Sequence, residues 1–429
     1  MPRRAPTLLL LSLLASPCVA RAQEVFTDVP RIVAVGDVHG DYQQFVTILR
    51  QLGVIDGRAR WTGGRTHLVQ TGDVPDRGPD SRKVMELLMS LADEAKAAGG
   101  RVHALVGNHE AMNVLGDLRY VDPGEYAAFR SSNSSKLQGR AWAVLSDSAR
   151  RTDDTYKAQW YAEHPLGWVE HRLAFEGNGR YATWIRGNNA MVKINDYLFV
   201  HGGIGPKYVD STMAAMNVGV RTALSGSTSP PEGNIAEDPE GPLWYRGLAS
   251  ADEPLLAAHV DSVLARFGVK HVVIGHTVTP GTIMPRFGGK VLMIDIGLAA
   301  AYGSALAALE ADAGTAYAVH RGTRLAIPLG GDLGTYLAAA AALDPAGTRL
   351  RQYVADPRRI GKINDYRGRV LEYCRRWPEH RSPYALTCLG THLAEAGHLD
   401  ELAQLFSSEW LAAQWSILHT WAALIADLE

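Results

Sequence analysis

The sequence predicts an α/β protein, a β-sheet layered with helices, and three observations predict it. Short β-rich runs recur along the chain, several end in a polar glycine-containing motif, and amphipathic helical stretches follow the first of these. Strand ends that deliver polar residues to one edge of a sheet are where α/β proteins place their sites.

The runs come in order. Arg31 to Val35 leads into Gly36-Asp37-Val38-His39-Gly40, and His67 to Gln70 into Thr71-Gly72-Asp73. Val102 to Val106 leads into Gly107-Asn108-His109-Glu110, Tyr197 to Val200 into His201-Gly202-Gly203, and His271 to Ile274 into Gly275-His276. Asp41 is placed to cap a helix over Tyr42 to Leu52, with Gly53 as its stop. Asp80 or Ser81 caps a longer helix whose Val84, Leu87, Leu88 and Leu91 share a face, closed by Gly99-Gly100. Met112 to Tyr181 is polar and helix-prone and interrupts the series, so it reads as a helical insertion or lid over the site. Ser225 to Pro242, rich in Ser, Pro and Gly, reads as a loop ending at Leu243-Trp244-Tyr245-Arg246-Gly247. Strand-like runs return at Val291 to Ile296, Ser304 to Glu310 and Thr315 to Val319. The catalytic region is therefore drawn over residues 23–329, and residues 330–429 form a helical C-terminal appendage.

Arg3 and Arg4 precede the apolar run Leu8 to Leu14, and Ala20-Arg21-Ala22 offers a small-x-small cleavage site before Gln23. Residues 1–22 thus read as a secretory signal peptide, too short for a stable membrane anchor. The expected location is exported, periplasmic or secreted, with lipid anchoring at Cys18 disfavoured by Pro17. Removing the signal takes the formal charge from −2 to −5, because three arginines and no acid leave with it. No basic run suggests nucleic acid, and nothing else in the sequence suggests stable membrane insertion. The two remaining cysteines, Cys374 and Cys388, flank the turn Pro378 to Pro383 and are expected to form a disulfide between antiparallel helices.

Phosphate monoester hydrolysis needs a nucleophile, charge neutralisation on the phosphoryl oxygens and a proton for the leaving group. Two metal ions supply the first two, so the protein must offer carboxylate, amide and imidazole ligands with one bridge. Asp37 and His39, two residues apart where a strand becomes a turn, can reach one ion. Asp73 can bridge, and Asn108, His201 and His276 can complete the second site. Oxygen and nitrogen ligands without thiolate suit two divalent ions, with manganese favoured and iron or zinc as alternatives. Arg77 and Arg246 offer bidentate forks for phosphate. His109 is a candidate general acid, with Asp76 orienting it. Each motif alone is also explained by a structural turn; their order, each behind a strand, is what favours chemistry. His103, His164, His171 and His271 lack partners at ligand spacing and are read as surface or core residues. Trp160, Trp168 and Trp184 are read as packing anchors, and so is Tyr302, with a place at the site as its alternative.

Together Gly36 to Gly40, Gly72 to Gly78, Gly107 to Glu110, His201 to Gly203 and Gly275-His276 resemble the five signatures of calcineurin-like metallophosphoesterases. The Asp76-Arg77-Gly78 ending, the intact Asn108-His109-Glu110 and Val278 in place of a further histidine resemble the phosphoprotein phosphatase branch. QTGDVPDRGPDS, RYATWIRGNNAMVKI, LFVHGGI and LWYRG are similar to bacterial Shewanella-like protein phosphatases. The resemblance covers roughly Arg31 to Val319 and implies two packed β-sheets flanked by helices. It also implies Asp37, His39 and Asp73 on one metal, Asp73, Asn108, His201 and His276 on the other, Arg77 and Arg246 on phosphate, and a His109–Asp76 proton-donating dyad. The implied substrate is a phosphorylated protein or small phosphoester. A nucleotide or dinucleoside-polyphosphate hydrolase is the competing enzyme, and a non-catalytic metal-dependent binding protein the competing non-enzyme; intact His109, Asp76 and Arg77 count against the latter.

Overall fold

The computed structural model describes residues 23–225, 234–330, 333–356, 370–395 and 398–418. Residues 1–22, expected to be a signal peptide, lie with Cys18 outside the described residues, as does part of the loop expected before Leu243.

Twelve strands form two six-stranded mixed sheets. One sheet holds β1 (Val25–Phe26), β5 (Met191–Ile194), β6 (Tyr197–Val200), β7 (His271–Ile274), β9 (Val291–Met293) and β8 (Met284–Arg286), in that spatial order. The other runs β12 (Thr323–Ala326), β11 (Thr315–His320), β10 (Ala307–Asp312), β2 (Arg31–Val35), β3 (His67–Gln70) and β4 (Arg101–Ala104). Within it β2, β3 and β4 are parallel, and in the first sheet β6, β7 and β9 are parallel. These are the two packed sheets flanked by helices that the resemblance implied, where the strand pattern alone gave only a sheet layered with helices.

Period-two alternation explains the stacking. Tyr197 and Phe199 of β6, with Val192, Val273 and Leu292, join Val33, Leu68, Val69 and Leu309 of the opposite sheet in one core. Their neighbours Leu198, Val200, Val272, Ile274 and Val291 face outward into a second core, under Met213, Met216, Val260, Val263 and Phe267. Those residues lie on helices Met213–Ala223 and Glu253–Phe267. Strands covered on both faces read as continuous apolar runs, which is what HVVI and YLFV are.

The expected run Val102 to Val106 leaves the ladder early. Leu105 still donates to the Gln70 carbonyl, but the Val106 N–H turns to Asn189 instead, at 3.0 Å. Helices Tyr42–Gln51 and Ser81–Ala97 pack their apolar faces inward, and the Asp41 carboxylate accepts the Gln44 N–H at 3.1 Å.

Helices Pro123–Ala128, Ser134–Leu145, Asp154–Glu163, Trp168–Phe175 and Arg180–Gly187 fill most of the chain between β4 and β5. An aromatic cluster holds part of this insertion: Trp142 meets Trp160 edge to face at 5.3 Å, and His164 stacks on Trp160 at 4.1 Å.

The C-terminal helices divide. Tyr336, Leu337, Ala340 and Leu350, from helices Leu333–Leu343 and Arg349–Ala355, share the core of the two sheets. Leu371, Cys374, Trp377, Leu386, Leu389 and Trp410 make a separate small core. The expected Cys374–Cys388 disulfide is a correction: the two cysteines are not bonded to each other. Cys374 is buried among apolar side chains while Cys388 stands only partly buried. Burial, then the neighbouring Cys388, pushes the Cys374 thiol up, which disfavours the thiolate that disulfide formation requires. Among the described residues no helix is long and apolar enough to cross a membrane.

Gly72, at the end of β3, has φ +97°, and a Cβ there would lie 2.5 Å from the Gly107 nitrogen. Gly64 has φ +56° but nothing within 4 Å. Both alanine substitutions incur the left-handed cost of roughly 1–2 kcal/mol, and Gly72→Ala adds a backbone clash. Thermal denaturation should show a clearly larger midpoint loss for Gly72→Ala; equal losses would mean that the close approach to Gly107 carries no cost.

Candidate active site

The parallel ladders set the ends of β2, β3 and β4 side by side in one sheet, and those of β6 and β7 in the other. The five motifs follow these ends. There the chain adopts unusual backbone: His39, Asp73, Asp76, Arg77 and His276 have φ of 46°, 59°, 72°, 67° and 63°. Such left-handed non-glycine residues persist only where surrounding contacts over-determine them. The Asp73 carbonyl accepts the N–H groups of Val38 and His39, each at 3.0 Å. Glu110 accepts those of Asp73, Val74 and Gly107, each at 2.8 Å.

Side chains from all these turns gather on Asp73. One ligand atom each from Asp73, His201 and His276 lies within 4.8 Å of the others, and the same holds for His39, Asp73 and His109. His201 donates Nδ1–H to the Thr71 carbonyl at 2.9 Å, which leaves Nε2 as an acceptor. That Nε2 faces Asn108 Oδ1 at 2.9 Å, His276 Nδ1 at 3.2 Å and Asp73 Oδ1 at 3.3 Å. Acceptors turned toward one another are stabilised by a cation between them. Asp37 stands beside these groups, both oxygens accepting the His276 N–H at 3.1 Å. Gly275 makes room for it, since a Cβ there would lie 2.4 Å from Asp37 Oδ1.

The charge balance points the same way. Asp37, Asp73, Glu110 and Asp295 are all buried here. Burial, then Asp295 and Asp73, holds Asp37 well above the usual carboxylate range. Burial and the Asp73 charge push Glu110 to about 7, and burial pushes Asp295 to about 6. Burial opposes the Asp73 charge too, but His201 and His109 outweigh it and hold that carboxyl well below its ordinary value. Buried carboxylates crowded together call for cations, and hard oxygen with imidazole nitrogen suits divalent metals.

The histidines separate by environment. Burial lowers His39 to about 4 and His276 to about 2, so both keep a lone pair for a metal. His39 donates through Nδ1 to the Pro75 carbonyl at 3.1 Å, leaving Nε2 toward Asp73 at 3.9 Å. For His109, burial disfavours the imidazolium but Asp73 and Asp76 outweigh it, and the net shift is upward. A ring that retains its protons is a donor and a poor ligand. His109 Nδ1 lies 2.5 Å from Asp76 Oδ2, and its Nε2 faces the cleft, 3.8 Å from Asp73 Oδ2.

Both arginines lie at the edge of this cleft. Arg77 stacks its guanidinium over the Tyr120 ring at 3.9 Å, and its N–H donates to the Tyr120 carbonyl at 3.0 Å. Arg246 donates to the His276 carbonyl at 2.7 Å and to Thr277 Oγ1 at 2.9 Å.

Several residues here had no role assigned from sequence. Glu110 occupies the third position of helix Asn108–Leu115, where a capping glutamate bonds back to the helix start, so its pattern was available. Asn113, one turn after His109, donates to Asp76 Oδ1 at 2.9 Å. Asp295 lies two residues past the end of β9, inside the run expected from Val291 to Ile296, a strand-end position like those of the other motifs. Tyr302, for which a place at the site was the alternative reading, lies against His39 at 5.3 Å and lines the site. Tyr120 lies against His109 at 5.3 Å; it comes from the insertion, and nothing local marks it.

A family model described as calcineurin-like phosphoesterase matches residues 30–280. An uncharacterised protein of Schizosaccharomyces pombe is 33% identical over 286 residues, covering 65% of this chain and 76% of that one. Shewanella-like protein phosphatase 2 of Arabidopsis thaliana is 30% identical over 294 residues, covering 64% and 73%. The crystal structure of a cold-active protein-tyrosine phosphatase from a psychrophilic Shewanella superposes with a TM-score of 0.56 at 28% identity, covering 71% of this chain and 82% of that one.

Asp73 is the one carboxylate common to both donor groups, so Asp73→Asn should release metal from both. Elemental analysis of the purified variant should find both ions lost; retention of both at wild-type content would reject a shared carboxylate.

Proposed function

We propose a protein-phosphatase activity for this chain, which belongs to the calcineurin-like phosphoesterase family and is a metal-dependent hydrolase. The substrates proposed are phosphotyrosine or phosphoserine/threonine monoesters. The observation that carries the proposal is the convergence of Asp73, Asn108, His201 and His276 as mutually facing acceptors beside the His109–Asp76 pair. Two relatives bearing phosphatase names support it.

A pair of divalent ions bound at these residues would activate the attacking water and neutralise phosphoryl charge. Asp37, His39 and Asp73 are assigned to one ion, and Asp73, Asn108, His201 and His276 to the other. Manganese is the ion we propose, from the hard oxygen and imidazole donors. Arg77 and Arg246 bind the phosphoryl oxygens through their planar forks. His109 gives its Nε2 proton to the departing oxygen, while Asp76 holds Nδ1–H and stabilises the imidazolium beforehand. With residues 1–22 read as an export signal, the proposed compartment is periplasmic or extracellular.

Leaving-group dependence tests the proton donor. Tyrosine leaves as a phenolate with conjugate-acid pKa of about 10, whereas a serine alkoxide lies nearer the value of roughly 15.7 for water. His109→Asn should lose about 10²–10⁴-fold on phosphoserine, less on phosphotyrosine and least on p-nitrophenyl phosphate. Single-turnover rates that fall equally on all three would remove His109 from proton donation.

A further inference from the structure

We propose that Glu125 is a positioning residue: from the helical insertion it holds Asp76, and through Asp76 the proton donor His109. The proposal rests on the phosphatase reading above and on His109 as its acid.

Asp76 uses both carboxylate oxygens, one on His109 at 2.5 Å and one on Asn113 at 2.9 Å. Its backbone is left-handed, with φ 72°, and that of Arg77 is too, with φ 67°. This dipeptide therefore needs an external hold. The insertion supplies one at Arg77, through the Tyr120 carbonyl and ring. At Asp76 it supplies Glu125, on helix Pro123–Ala128, whose carboxyl is faced by the Asp76 N–H and the Ser81 hydroxyl. Glu110 grips Asp73 and Val74 at the other end of the same loop through backbone N–H groups. The loop that carries the bridging carboxylate and the acid's partner is thus held by two buried glutamates, one at each end.

Glu125 differs from Glu110 in being poorly satisfied. Glu125 and Asp76 are both 0% exposed, yet neither Glu125 oxygen meets full hydrogen-bond geometry among the described residues. His171, from helix Trp168–Phe175, places Nε2 3.6 Å from Glu125 Oε1 and also lacks a full hydrogen bond. A buried group this costly to the fold calls for a reason beyond packing. Charged and titratable groups facing Glu125 are Asp76, Asp122 and His171, with Arg172 beside His171. Burial and the Asp76 charge hold the Glu125 carboxyl well above its ordinary range, and burial lowers His171 to about 3, so the surroundings favour the uncharged form of each. A neutral acid leaves the negative charge on Asp76, where His109 needs it. An amide of the same length should therefore replace it.

The test compares kcat on a phosphoserine peptide and on p-nitrophenyl phosphate, with metal content and thermal midpoint, for full-length metal-loaded variants. Glu125→Leu leaves the buried Asp76 N–H without the carboxyl that faces it, so its midpoint should fall, and the leaving-group dependence of kcat is what separates positioning from stability. Its kcat should fall about tenfold or more on phosphoserine and less than about threefold on p-nitrophenyl phosphate. Glu125→Gln should return to within about threefold of wild type on phosphoserine. Glu125→Asn, which withdraws the amide by one methylene, should show the same selective loss and carries the comparison if the leucine variant does not fold. Equal losses on the two substrates, no loss in the leucine or asparagine variant, or glutamine no better than leucine would each overturn the role. A wild-type protein that hydrolyses neither substrate overturns the phosphatase reading itself, and the proposal with it.

Discussion

The burial of Asp73 organises everything around it. Its carbonyl holds the turn that carries His39, its N–H is held by Glu110, and its carboxylate accepts the His109 N–H at 2.9 Å and faces His201 Nε2 at 3.3 Å. A charge taken out of water this completely is tolerated only with opposite charge beside it. The neighbouring histidines and the proposed ions fill that need. The fold supplies the means: strands from two sheets end at one cleft, so side chains from distant parts of the chain reach one carboxylate.

Environment, more than residue type, divides the imidazoles. His39 and His276 are buried without enough compensating charge to stay protonated, which suits them to bind a cation. His109 is buried too, but Asp73 and Asp76 reverse the effect of burial. A ladder of rings, Tyr302, His39, His109 and Tyr120, crosses the cleft at centroid spacings of 5.3, 4.8 and 5.3 Å. His39 and His109 therefore sit between aromatic walls, and one wall comes from the insertion.

The insertion contributes contacts of its own to the cleft. Tyr120 bonds the backbone of Arg77 and lies under its guanidinium, while Glu125 sits behind Asp76. Arg77 and Asp76 are both set against a segment outside the five motifs. Its aromatic cluster gives that segment packing of its own, and its helices are anchored on the main core through Phe129, Phe175 and Tyr181.

What the sequence by itself determined is what short-range physics writes locally. β-rich runs, the glycines after them and the polar residues that follow gave the five motif-bearing strands, their order and the groups gathered on Asp73, because each signal lies within a few residues of the chain. Even there, Glu110 and Asp295 had readable positions and were assigned no role. Only the tertiary structure decided how the strands divide into two sheets, since buried strands look alike on both faces. It placed Tyr120 and Glu125 against Arg77 and Asp76, contacts that span more than forty residues and leave no periodic mark. It also left Cys374 and Cys388 without a disulfide between them: spacing can bring two helices together, but the depth at which each sulfur sits is set by how the whole core packs.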